Sequence, residues 1–171
     1  GGAGGGCAAG GLASWTGAAG VDAGLSEGVA GWMLSFGAAF GIGWRLFWGV
    51  RTDTMASRAY TMAAGLAALG SIGMLGLAKG TAGIHVLSTF LAFGAGWVWP
   101  VFTNFGIMRA NGDASGAASG VTQMGIYLGV FPGPLATGWM IDEHGFGAMW
   151  LLVGASMLIG SALTFWIRNE F

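Results

Sequence analysis

The formal charges of this chain, six Lys or Arg and seven Asp or Glu, stand in short clusters separated by long uncharged runs. The clusters are Asp22 with Glu27, Arg45 through Arg58, Lys79, Arg109 with Asp113, Asp142 with Glu143, and Arg168 with Glu170. Only 8% of the residues are charged, against roughly 25% in a soluble domain, which is too few to dress a water-facing surface. With 54% hydrophobic residues and a mean hydropathy of +0.70, the solvent that fits is a lipid bilayer. A spanning helix needs about 20 apolar residues to cross about 30 Å of hydrocarbon. The 171 residues therefore read as five or six spans with short loops, an all-α polytopic transmembrane helical bundle and a single transmembrane domain over residues 1–171.

Glycine needs its own explanation, because 36 residues is far above the average of about 7%. There is no Gly-X-Y period, which excludes collagen, and the many Leu, Phe, Trp and Met residues exclude disorder. In a membrane, small residues let helices approach closely. Net charge is near neutral without a basic tract, so nothing points to nucleic acid. Cys7 is a lone cysteine and makes no internal disulfide. No metal or cofactor motif is present. The chain begins with Gly, shows no positively charged leader, and reads as a piece of something longer.

The spans follow the charges. Residues 1–21 are uncharged but mostly Gly and Ala, a poorly apolar and truncated first span. Asp22 to Glu27 is a polar turn, with Ser26 placed to cap the next helix. The second span is expected over 28–44, with Gly37 and Gly41 as a close-packing face, ending at Arg45 and a polar loop. The third covers 59–78, the fourth 81–108, and the fifth 114–141. In the fifth, Gly125, Gly129 and Gly133 recur every four residues, and Pro132-Gly133-Pro134 must kink or break the helix. Such a break survives in a membrane where neighbouring helices or a cavity satisfy the freed backbone. Asp142 to Gly145 is a turn, and the last span covers 146–167. Alternating crossings put Arg45, Arg51, Arg58, Arg109 and Arg168 on one side and Lys79 on the other; the positive-inside rule makes the first side, and the C-terminus, cytoplasmic.

In the loop after the second span, Gly49, Asp53 and Arg58 fit the order Gly-x-x-x-Asp-Arg-x-Gly-Arg-Arg, while Thr54, Ala56 and Ser57 replace the central Arg, Gly and Arg. With Gly96-Trp-Val-Trp-Pro100, Gly116 through Gly125, and Gly129-Val-Phe-Pro-Gly-Pro-Leu-Ala-Thr-Gly138 leading to Asp142, the chain resembles the C-terminal six-helix half of a major facilitator superfamily transporter. The resemblance covers about residues 21–171. It implies a secondary, alternating-access transporter of a small solute in the bacterial cytoplasmic membrane, facing a missing N-terminal half or a second copy. It also implies that Asp53 and Arg58 clamp helix ends when the cytoplasmic gate is closed; the plainer alternative is that the arginines only fix topology.

Counting about 1.5 Å per residue from the charged ends puts Trp97, Gln123 and Tyr127 at similar depth, roughly 15–21 Å from the cytoplasmic face. These residues, with Trp99, are the candidate substrate cavity, and Pro100 would loosen the fourth span beside them. Packing between helices competes as a role, with more weight for the tryptophans than for Gln123, a polar group at depth. Asn104 reads as a helix–helix hydrogen bond and His85 as an interfacial or snorkelling histidine. No zinc motif and no Gly-x-Ser-Gly protease signature is complete, so no enzyme is expected. A non-transporting membrane assembly subunit and a homodimeric half-transporter are the alternatives.

Overall fold

The computed structural model describes residues 2–166, and every regular element among them is helical. The elements are α1 (Gly2–Asp22), α2 (Glu27–Arg51), a tight 3-10 stretch (Thr52–Arg58), α3 (Ala59–Leu77), α4 (Ala82–Gly96), α5 (Trp99–Ala110), α6 (Ser115–Val130) and α7 (Gly133–Trp166). Three helical stretches, Ala59–Leu77, Ala82–Ala110 and Gly112–Trp166, are long and apolar enough to cross a membrane. The expected end of the last span at Ile167, and Arg168 beyond it, lie outside the described residues.

Between α1 and α2 the chain turns where the sequence places a turn, and the Ser26 hydroxyl accepts from the Val29 amide at 3.4 Å. At the other end the expectation of a helix stopping near Trp44 fails. Leu46-Phe47-Trp48-Gly49-Val50 carries no helix breaker strong enough to stop the helix, so α2 runs on to Arg51 and Arg45 stands inside it. The turn expected over 142–145 is narrower too. Helix continues to His144, and the reversal is concentrated at Gly145, whose φ of +79° is a left-handed value that glycine adopts at little steric cost. On either side of Gly145, Thr137 and Val153 both come against Gly11, so 133–144 and 146–166 are two arms folded back on each other.

Layering follows from which residues are small. Gly70 of α3 lies on the backbone of Gly96, and Gly73 lies on that of Ala92, with no room for a Cβ at either position. On the other side of α3 the second arm of α7 packs antiparallel, with the Ser161 hydroxyl donating to the Ala64 carbonyl at 2.7 Å. The weakly apolar α1 is central rather than peripheral. It packs on α2, α4, α6 and both arms of α7, and Ala8, Leu12 and Thr16 are fully buried. A helix surrounded by its neighbours needs small side chains for approach more than large apolar ones. Trp15 Nε1 donates to Thr137 Oγ1 at 2.8 Å, tying α1 to α7. His85 is buried rather than snorkelling; its Nε2 stands 3.3 Å from the Thr16 carbonyl of α1.

Candidate functional site

Halfway along the fourth helical stretch the backbone breaks. The Val101 amide, which an unbroken helix would direct at the Trp97 carbonyl, bonds Val98 O at 3.0 Å instead. Pro100 has no amide to offer Gly96 O, and it sits in the first turn of α5, where a missing N–H is harmless. Two carbonyls are thereby freed in the interior, at about 22 Å from the start of α4 and about 20 Å from the end of α5. A second break separates α6 from α7 at Phe131 and Pro132.

Around the first break lies a cavity of about 500 Å³. Trp97 and Trp99 from the break and Gln123 and Tyr127 from α6, two separate segments of sequence, all line it, and so does Pro100. The wall formed by α1 is built of Gly5, Ala9, Gly10 and Ala13. Gly5 is required there, because the Trp99 indole occupies the space a Cβ would take. The indole nitrogens of Trp97 and Trp99 are buried without partners, so the rings present carbon to the cavity. Gln123 Oε1 accepts from Asn104 Nδ2 at 3.5 Å, joining α5 to α6 as a helix–helix contact. Tyr127, one turn further along α6, is 60% exposed and stands at the open side.

The cavity also contains a residue that sequence reasoning assigned to the loop. Arg45 lines it, and its Nη2 donates to the freed Trp97 carbonyl at 2.7 Å. A cation at the C-terminal end of α4 opposes the negative end of that helix dipole. The signal was present in the sequence: Arg45 is flanked by Gly43-Trp44 and Leu46-Phe47-Trp48, an apolar setting unlike that of Arg51 or Arg58.

The remaining predicted residues lie elsewhere. Gly49 is on the outer part of α2 with open space where a Cβ would be. Asp53 and Arg58 are both exposed in the 3-10 stretch, and among the described residues neither forms an ion pair. Arg51 instead lies over the Phe47 ring, 4.6 Å from its centre. Gly129 is buried, while Gly133 and Pro134 pack against Cys7 and Gly10 of α1, so the second break supports the wall of the cavity. Among the described residues no group of three His, Cys, Asp or Glu could hold a metal ion. In comparisons with known proteins, the chain matches no family model, no curated protein and no solved structure.

Proposed function

We propose that this chain is one half of a secondary transporter of the major facilitator type, an integral membrane protein that moves a small solute by alternating access. The observation that carries the reading is the mid-length break at Trp97 and Val98 opening onto a cavity with Arg45, Gln123 and Tyr127 on its walls. Irregular backbone at membrane depth is tolerated where protein or a water-filled cavity satisfies it, and transporters of this kind bind near the midplane at such breaks. A purely structural subunit has no need for freed carbonyls and a void with polar side chains set into its wall. The open side beside Tyr127 is where an opposing half, from the same polypeptide or a second copy, would close the path.

In this reading the end carrying Arg51, Arg58 and Arg109 faces the cytoplasm of a bacterial cell. The complete protein, expressed in cells and screened against a panel of labelled small solutes, will accumulate or extrude one chemical class. Gln123→Leu removes a polar wall group and orphans Asn104, so the apparent KM for that solute rises about fivefold or more, the equivalent of at least about 1 kcal/mol. Uptake with wild-type kinetics in Gln123→Leu would contradict the cavity's role. No transport of any solute by the complete protein would contradict the function itself.

A further inference from the structure

Among the described residues that line the cavity, Arg45 alone carries a charge. Arg45 is itself an exposed residue, and two directions are open to its side chain. Arg51, at the end of α2, is about 9 Å away along the helix, within reach of a snorkelling arginine. Helical side chains lean toward the N-terminus of their helix, which in α2 leads away from that end and toward the middle of the bundle. Arg45 takes the inward direction, and its guanidinium meets the Trp97 carbonyl at the level of the broken backbone. Charged groups at such depth are disfavoured and, where they occur, mark ligand or ion paths.

The carbonyl uses one of five guanidinium N–H donors, and the remaining fork matches a carboxylate held through two parallel bonds. Among the described residues no Asp or Glu lines the cavity, and none forms an ion pair with Arg45. The rest of the wall is mostly apolar: the tryptophan rings show carbon and Ile126 and Val130 stand beside them, with Asn104, Gln123 and Tyr127 as its uncharged polar members. One cation in an apolar setting balances one negative charge, which disfavours a phosphate dianion and equally a cation.

Resting on the transporter reading, we propose that the cavity binds a small organic monoanion, its carboxylate on Arg45 and its apolar or aromatic body against Trp97, Trp99 and Tyr127. Arg45 then has two roles that alternate in weight. With the cavity empty it satisfies the Trp97 carbonyl, and with anion bound it shares its donors between carbonyl and ligand.

The test uses the 171-residue chain in lipid nanodiscs and calorimetric binding of two matched pairs, benzoate with benzamide and 3-phenylpropionate with its amide, plus benzyltrimethylammonium. Each anion is expected to bind at least about tenfold more tightly than its amide, as a charge-assisted pair implies. Arg45→Gln abolishes that preference, and Arg45→Lys, which keeps the charge without the fork, retains part of it. Benzoate, and not benzamide, also protects wild-type Arg45 from phenylglyoxal, a readout that holds even if Arg45→Gln fails to fold. Amides or the cation binding as tightly as the anions, a preference that survives Arg45→Gln, or no anion binding at all would overturn the proposal. Equal binding of anion and amide, both lost in Gln123→Leu, would sink the anion and leave the solute cavity standing. Absence of transport in the complete protein would instead sink the transporter reading, whatever the cavity binds.

Discussion

Gly70 and Gly96 meet backbone to backbone between α3 and α4, so a single methyl group has no place to go. Gly70→Ala forces those helices apart and is expected to destabilise the bundle by about 1–3 kcal/mol, the usual range for overpacking. Gly65, one and a half turns away on the same helix with nothing near a would-be Cβ, serves as the control, and its change to Ala stays within about 0.5 kcal/mol. Thermal unfolding of both variants in detergent checks the contrast. Residues of this kind show how far the sequence could be read. The pair Gly37 and Gly41 was legible as a packing face, and both lie against Phe93 or Thr89 of α4. Gly116 and Gly120 have the same spacing yet face open space, as does Gly125, because spacing identifies a small stripe and says nothing of which neighbour lies opposite. The candidate cavity residues were legible through depth counting, since 1.5 Å per residue holds along any helix. Arg45 was not, because a charge at the end of an apolar run looks like the end of a span. The apolar run Leu46-Phe47-Trp48 that follows it was the signal against that reading, and the path of α2 on to Arg51 bears it out.

At the scale of elements, the break in the fourth helical stretch has a definite chemical origin. Pro100→Ala supplies the missing amide, allows a bond to Gly96 O, and favours a continuous helix through Trp97. The expected outcome is a protein more stable by about 1 kcal/mol, from one recovered backbone bond, and slower in transport because the cavity wall has straightened. Melting in detergent and uptake by the complete protein measure the two effects together; lower stability with unchanged uptake would contradict them. Both breaks were visible in the sequence because proline acts locally. The reversal at Gly145 was visible as a turn over 142–145, wider than the one observed, since the charged side chains of Asp142 and Glu143 are compatible with helix. In the 3-10 stretch after α2, Asp53 is exposed and without an ion pair among the described residues. If it acts as a gate clamp, its partner lies on the opposing half. Asp53→Asn is then expected to lower transport while leaving the amount of protein in the membrane unchanged, measured by uptake alongside immunoblotting of membranes.

For the molecule as a whole, charge clustering and composition made the all-helical architecture legible before any coordinates, because long uncharged apolar runs between charged clusters are the pattern of helices suited to lipid. The central place of α1 was not legible. Its Gly and Ala content lowers hydropathy, yet those same small residues let four neighbouring elements pack around it. What unites the proposed reading is a water-accessible cavity at mid-depth of a bundle set in lipid. The most direct test compares two cysteines in a Cys7→Ser background: Tyr127→Cys, on the open side of the cavity, and Leu69→Cys, half exposed midway along the apolar α3. A charged, water-borne thiosulfonate reagent, added to protein in nanodiscs, is predicted to modify residue 127 readily and to leave residue 69 untouched, because lipid excludes the reagent from one and the cavity admits it to the other. Equal modification of both would remove the membrane from the account, and protection of both would remove the cavity.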